Sequence, residues 1–341
     1  MPRLSRRSRA LASLAVAGLL AGLTSCGKDD SGTAADPSPS ASTSDSATAS
    51  SSPSTTTTVS PEEALANITV SGKQGVAPKV TWSGKVEVDA TTSETLVTGK
   101  GDPVKDGDQV FAHVWVGDGS TKKEVYSSYA TAPAPLIAIG PGTLPALNTA
   151  LADHRIGDRV LVASTPLDAY GAQGNTSLGI QPTDTVVFVV DLLSTLPTEP
   201  SGTAQDPASW APSVTETDGV PSALNFSAAP QPGGSLQRTF LIRGEGPKTT
   251  KGQHIYVNYL GQVYGGDKPF DQSYGRSVFD FDLGAGSVVA GWDKGLVGVP
   301  VGSRVILAVP PDQGYGDAGQ PSVGITGTDT MYFVVDVLAA V

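Results

Sequence analysis

The chain has 341 residues, with 40 glycines, 26 prolines and a formal net charge of −11. Its length suggests about two domains, and its glycine and proline content argues against a mostly helical protein, because both residues disfavour helix interiors. The negative charge argues against a nucleic-acid partner, since binding phosphates requires a basic surface. A single cysteine rules out an intrachain disulfide framework, and the three histidines, at 113, 154 and 254, lack the spacing of zinc ligands.

The first 25 residues have the pattern of an export signal. Four arginines precede an apolar run, Leu11–Leu23, which is shorter than the ~20 residues that a membrane-spanning helix needs. The run ends in Leu23-Thr24-Ser25-Cys26, which resembles a bacterial lipoprotein signal. This resemblance predicts cleavage of residues 1–25 and attachment of a lipid to the sulfur of Cys26. The alternative is an ordinary secretory signal with an incidental cysteine.

A lipid on Cys26 would place the protein on the extracytoplasmic face of the cell membrane. Removing residues 1–25 removes four arginines and no acidic residue, which changes the net charge from −11 to −15. Residues 26–60 are predicted to be a disordered tether. The 18 serines and threonines within 31–60 leave too little apolar surface for a core.

The rest of the chain repeats itself at an offset near 145 residues, so both copies should share one architecture. The strongest matches pair Ile156–Val160 with Val301–Val305, Tyr170-Gly171 with Tyr315-Gly316, and Phe188–Asp191 with Phe333–Asp336. A segment rich in proline, serine and threonine separates the copies. The predicted domains are therefore 61–196 and 214–341, joined by a linker over 197–213.

Each copy is predicted to consist mostly of strands with one short helix. Apolar, β-branched runs bounded by Gly, Pro or Asp are typical of strands. They occur at 110–116, 160–163 and 186–193 in the first copy and at 255–260, 305–309 and 331–338 in the second. The helices are expected at 146–154 and 291–297. A sheet around one short helix is an α+β arrangement.

Five motifs in the second copy point to a family when they are taken in order. They are Asn258-Tyr259-Leu260-Gly261, Pro269-Phe270-Asp271-Gln272-Ser273, Gly291-Trp292-Asp293-Lys294-Gly295-Leu296, Tyr315-Gly316 and Phe333–Leu338. This ordered set, within 238–341, resembles the FK506-binding-protein (FKBP) family of peptidyl-prolyl cis-trans isomerases. The resemblance implies an antiparallel, roughly five-stranded sheet wrapped around a short helix. We therefore expect two such domains in tandem.

The resemblance also implies a binding site for a prolyl residue, carried over position by position. The family's catalytic positions correspond to Phe270, Asp271, Trp292 and Tyr315. Its substrate-binding positions correspond to Tyr259, Phe279, Val288, Val289, Ile325 and Phe333. Trp292 would be the floor beneath the proline ring, Asp271 would face the twisted amide, and Tyr315 would donate to a substrate carbonyl. The backbone N–H of Val289 would meet a second carbonyl.

The implied reaction needs no cofactor. Rotation about an X–Pro bond is slow because amide resonance imposes a barrier of ~18–20 kcal/mol. A site that binds the twisted amide more tightly than the planar one lowers this barrier. No covalent intermediate or metal is required, so none is expected. The ligands that the resemblance implies are proline-containing unfolded or exported proteins and FK506-like macrolides.

The first copy keeps the scaffold motifs and loses most of the site. At the 145-residue offset, Val114, Val125, Tyr126 and Leu147 stand where the second copy has Tyr259, Phe270, Asp271 and Trp292. This pattern favours a structural domain over a divergent partner site. We therefore expect isomerase activity mainly in the C-terminal domain, acting on exported proteins.

Two other functions compete with this interpretation. The first is a non-enzymatic chaperone or protein-binding lipoprotein, which would hold its partners in the same grooves. The second is a solute-binding lipoprotein, which is disfavoured because the sequence lacks the alternating strands and helices of α/β lobes.

Overall fold

The computed structural model describes residues 61–137 and 143–341. The predicted signal peptide, the predicted tether and Cys26 lie outside the described residues. The chain divides into two compact units, one ending at Ser194 and the other running from Thr195 to Val341. Within the described part of the chain, no helix has the length and apolar character needed to span a bilayer.

The first unit is an antiparallel sheet with a hairpin and three short helices. Its strands are β1 (Ile68–Ser71), β2 (Lys79–Trp82), β3 (Thr92–Val97), β4 (Gln109–Asp118), β5 (Lys123–Ser127), β6 (Ala134–Ile137), β7 (Arg159–Ser164) and β8 (Val186–Thr195). Its helices are α1 (Pro61–Leu65), α2 (Pro145–Leu151) and α3 (Pro166–Tyr170). The sheet order is β3-β7-β8-β4-β5, with β6 also on β4, while β1 and β2 form the separate hairpin.

The second unit repeats this plan. Its strands are β9 (Gly202–Ala204), β10 (Ser213–Thr217), β11 (Val220–Asn225), β12 (Gln237–Gly244), β13 (His254–Val263), β14 (Asp271–Gln272), β15 (Phe279–Asp282), β16 (Arg304–Val309) and β17 (Met331–Ala340). Its helix is α4 (Ala290–Gly295). The sheet order is β14-β13-β17-β16-β12-β9, with β15 also on β13, while β10 and β11 form the hairpin.

The α+β prediction and all six predicted strands are confirmed. The two predicted short helices are present as α2 and α4, which end earlier than expected. The sheets have six and seven strands rather than five, because short edge strands such as β9 and β14 complete them. These edge strands were not predicted, since segments of two or three residues contain no alternating pattern.

Each sheet is covered on both faces. In the second unit, α4 packs on one face over a core that includes Val305, Leu307 and Val335. The other face carries a second cluster, in which Ile306 and Val334 meet Leu224 of the hairpin. Consecutive residues of β16 and β17 are therefore buried, which explains why these strands have continuous apolar runs instead of alternation.

The segment 197–213 does not behave as the plain linker that its composition predicted. Strand β9 lies within it and pairs with the edge of β12. Trp210 packs against the hairpin cluster, with its ring 6.3 Å from that of Tyr332. The composition of this segment gave no sign of these contacts, because an edge strand and one anchoring ring need little apolar sequence.

Candidate prolyl-binding site

Trp292 lies at the centre of an aromatic cluster in the second unit. Helix α4 carries it, and the residue is buried, with a relative exposure of 3%. Four rings surround it at centroid distances of 5.1 to 6.1 Å, those of Tyr259, Phe279, Phe281 and Phe333. The indole N–H is buried without a hydrogen-bond partner in the described structure. The cluster is therefore apolar, with a single unpaired donor inside it.

Contacts from two other elements hold α4 against the sheet. Arg238 on β12 donates from Nη1 to the carbonyl oxygens of Gly295 and Val297, at 2.6 and 2.9 Å. The Thr249 hydroxyl donates to the carbonyl of Leu296. These donors satisfy carbonyl groups that a helix end leaves without partners. The position of Trp292 is consequently set by the scaffold rather than by the helix alone.

A glycine on β13 makes room for two further rings. A Cβ atom added to Gly261 would lie 2.7 Å from the ring of Phe270 and 2.8 Å from that of Phe333. The two rings meet edge to face with centroids 5.7 Å apart. Phe270 therefore reaches the cluster only because residue 261 has no side chain.

Asp271 is the polar group at the edge of the cluster. Its carboxylate accepts a hydrogen bond from the Tyr259 hydroxyl at 2.5 Å and another from the backbone N–H of the adjacent Gln272 at 2.8 Å. Arg276 lies 3.9 Å away. Burial, and then the hydrogen bond to Asp271, raise the pKa of Tyr259. The phenol therefore stays protonated at neutral pH and keeps the carboxylate oriented.

The rim of the site exposes apolar surface. Phe279 and Tyr315 are 37% and 42% exposed. Val288 and Val289, just before α4, are half-buried against the aromatic core. Ile325 is buried in the same core, at the end of a loop closed by paired backbone hydrogen bonds between Gln320 and Ile325. The site can thus bury a small apolar ring beside a carboxylate and a tyrosine hydroxyl.

All ten residues predicted for the site lie in this region, and their individual roles stay predictions. The sequence motifs did not include Phe281, whose ring is 5.7 Å from the indole of Trp292. The alternation Phe279-Asp280-Phe281-Asp282 contained the signal, because every second residue of a strand lies on the same face. Among the described residues, no group of His, Cys, Asp and Glu is arranged to hold a metal ion.

The corresponding region of the first unit is filled differently. Val116 occupies the register position of Gly261, since it pairs with Tyr126 as Gly261 pairs with Asp271. Leu147 and Val116 are buried in the core, and Val125 and Tyr126 pack against it. Burial, with a smaller contribution from Tyr126, raises the pKa of Tyr170 to about 12. The first unit therefore has Tyr126 in place of the Asp271 carboxylate, and its Tyr170 is more deeply buried than Tyr315.

Both copies of the repeat match a known protein family. The model of the FKBP-type peptidyl-prolyl cis-trans isomerase family matches residues 100–193 and 246–338. An FK506-binding protein of Streptomyces anulatus is 37% identical over 113 residues, which cover 32% of this chain and 91% of the relative. Peptidyl-prolyl cis-trans isomerase FKBP12 of Vicia faba is 32% identical over 111 residues, covering 31% and 97%.

A solved isomerase structure from Pseudomonas syringae pv. tomato is 32% identical and covers 31% of this chain and 74% of its own, with a TM-score of 0.28. The family model matches both copies of the repeat and more than half of the 341 residues. The chain therefore belongs to the FKBP-type peptidyl-prolyl cis-trans isomerase family.

Proposed function

We propose that the second unit carries the isomerase activity of this chain and that the first unit is mainly structural. The observation that carries the proposal is the aromatic cluster around Trp292 with Asp271 at its edge. The first unit has Leu147 and Tyr126 at the two corresponding positions. A site for a prolyl ring beside a twisted amide is therefore supported in the second unit only.

The chemistry follows from what the site offers. The planar amide is polar and is stabilised by water, whereas the twisted amide has lost part of its resonance. A prolyl ring bound against Trp292 would remove the peptide bond from water, and the Tyr315 hydroxyl would hold a neighbouring carbonyl. Interactions that are stronger for the twisted form than for the planar form lower the barrier. The oriented carboxylate of Asp271 would supply one such interaction.

The biological setting that we propose is the outer face of the cell membrane. The motif ending at Cys26 supports export and lipid attachment, and the Ser/Thr-rich segment 26–60 supports a tether. The substrates would be proline-containing unfolded or newly exported proteins. FK506-like macrolides would compete for the same site, because they are ligands of the family.

The test replaces Asp271 with Val in the full chain, with Tyr126→Val as the matched variant in the first unit. Asp271→Val should lower kcat/KM for a prolyl tetrapeptide by about tenfold, which corresponds to ~1.4 kcal/mol of transition-state stabilisation. Tyr126→Val should leave the rate unchanged. Thermal melts on the same samples establish that both variants are folded.

Three results would count against the proposal. A folded Asp271→Val protein with the wild-type rate would remove Asp271 from catalysis. An equal loss in Tyr126→Val would show that the first unit contributes. A folded wild-type chain without activity would instead favour a non-enzymatic chaperone, which an aggregation-suppression assay with an unfolded client would then detect.

A further inference from the structure

One wall of the aromatic site is a short strand. Strand β15 contains four residues and pairs with β13, with Phe279 opposite Val257 and Asp282 opposite His254. Phe279 and Phe281 lie against Trp292. The alternate residues, Asp280 and Asp282, are exposed on the strand. The position of β15 therefore determines the positions of the Phe279 and Phe281 rings in the site.

His254 joins both exposed carboxylates of this strand. Its Nε2 lies 2.8 Å from Asp280 Oδ2, and its Nδ1 lies 2.7 Å from Asp282 Oδ1. Both ring nitrogens can donate at the same time only when the imidazole is protonated. In the neutral ring, one nitrogen presents a lone pair to a carboxylate, which is repulsive. The geometry is thus complete only in the charged form.

We propose that His254 is a positioning residue for the prolyl site: its protonated imidazole clamps β15, and loss of the proton loosens the wall and weakens substrate binding. This inference rests on the proposed assignment of isomerase activity to the second unit. The substrates affected are peptides whose prolyl ring or preceding side chain contacts Phe279.

The surroundings of His254 favour the charged imidazole. The hydrogen bond to Asp280 raises its pKa, burial opposes this, and Asp282 raises it further. Tyr256 lies beside the imidazole at a ring distance of 5.1 Å, and burial raises its pKa to about 12, so it stays neutral. On the other side, Ala339 and Ala340 of β17 lie opposite Tyr256 and Ile255, and the backbone of Val341, the residue after β17, exchanges two hydrogen bonds with that of His254. Lys251, in the preceding turn, packs its side-chain carbons toward Gly284.

The direction of the pH effect follows from the raised pKa. Below the ordinary imidazole pKa of about 6.5 the clamp is fully formed, and it is lost as the pH rises through the higher pKa of the folded state. Rotation of the amide involves no proton transfer, so the reaction itself introduces no pH dependence. His254 is also the single histidine of the second unit, since the other two are His113 and His154.

The experiment measures kcat and KM of the full chain between about pH 6 and about pH 9, using a prolyl tetrapeptide with an aromatic residue before proline. We expect kcat/KM of the wild type to fall by about two- to tenfold across this range, mainly through KM, as expected for the loss of one hydrogen bond. His254→Gln should be low at every pH. His254→Lys, which keeps a charge, should be high and flat.

His154→Gln is the matched control, because His154 also lies beside a carboxylate, 3.1 Å from Asp158 in the first unit. It should retain the wild-type profile. A flat wild-type profile, or a wild-type profile in His254→Gln, would overturn the proposal. So would equal effects of His254→Gln and His154→Gln.

A second measurement does not depend on activity. Amide hydrogen exchange of residues 279–282 is compared between the wild type and His254→Lys at the same pH. We expect faster exchange in the wild type at about pH 9 and equal exchange at about pH 6. Equal exchange at both values would refute the clamp even if the chain is active. Different exchange in an inactive chain would support the clamp and reject the proposed function.

Discussion

The same buried ion pair occurs in each unit at repeat-related positions. Arg304 donates to both carboxylate oxygens of Asp336 at 2.6 and 2.9 Å, and Arg159 donates to those of Asp191 at 2.6 and 2.7 Å. Burial alone would lower the pKa of the Arg304 guanidinium, but the hydrogen bond to Asp336 and the nearby negative charges together outweigh this, and the pKa is raised. The third nitrogen of Arg304 binds Glu216 of the hairpin at 2.7 Å.

Removing one partner of such a pair should be costly, because the other charge stays buried and unpaired. Arg304→Met is expected to lower the free energy of unfolding of the second unit by about 3–5 kcal/mol. Differential scanning calorimetry of the full chain measures this as a shift of one transition, and Arg159→Met should shift the other. The double variant Arg304→Met, Asp336→Leu should recover most of the loss. If it is no more stable than Arg304→Met, the cost has a different origin.

At the scale of elements, each hairpin is an integral layer of its unit. In the second unit, the side chain of Gln262 is fully buried and bonds the backbone N–H and carbonyl of Leu224 on β11, at 2.8 and 3.0 Å. Phe226 meets Tyr332 edge to face at 5.1 Å. The preceding segment also contributes, since the backbone N–H of Ala208 donates to the Thr239 hydroxyl at 3.0 Å. The hairpin and its lead-in therefore cover the face of the sheet opposite α4.

The contacts of this layer predict how N-terminal truncation changes the stability of the second unit. A fragment starting at residue 214 lacks β9, Trp210 and the first residue of β10, whereas one starting at 195 keeps them. We expect the shorter fragment to be less stable by about 2–3 kcal/mol because it loses the contacts of Trp210. This is less than the loss for a fully buried tryptophan, since Trp210 is only partly buried. Urea unfolding of both fragments measures the difference. Equal stability would mean that residues 195–213 contribute nothing to the unit.

At the scale of the whole molecule, one scaffold occurs twice, with different residues at the site positions. The scaffold residues are shared, including the arginine–aspartate pairs and the continuous apolar strands. The site residues differ together: where the second unit has Gly261 and Phe270, the first has Val116 and Val125. Val116 is larger than Gly261, and Val125 is correspondingly smaller than Phe270. Such coupled replacement keeps the core filled, as close packing requires.

The N-terminal segment yields a prediction about the location of the whole molecule. If Cys26 carries a lipid, Cys26→Ala should leave the protein unprocessed or released from the membrane, because a lipid chain supplies its attachment. Fractionation of cells and the mass of the mature N-terminus test this. Ser25→Thr, a substitution beside the cysteine that keeps it, is the control. Unchanged membrane association of Cys26→Ala, with no lipid mass on the wild type, would reject the lipoprotein assignment.

The fold class and the repeat followed from the sequence, whose motifs pointed to ten residues for the site but not to Phe281. Strands such as β16 and β17 were predictable because their apolar runs are long and uninterrupted. A site could be proposed at Trp292 and Asp271 because they and their neighbours occur in short motifs in a characteristic order. Local apolar patterns and the order of motifs can be recognised in the sequence without knowing which residues are in contact.

The contacts between residues far apart in the chain could be seen only in the folded structure. Phe281 joins the aromatic cluster, Gln262 binds the hairpin and His254 bridges two carboxylates because antiparallel pairing brings β13 against its neighbours. Strand register depends on contacts between residues far apart in sequence, and shifting it by one residue would move every side chain to the other face. The linker composition of 197–213 likewise could not reveal β9. This edge strand is held by backbone pairing with β12, which leaves no pattern in its own side chains.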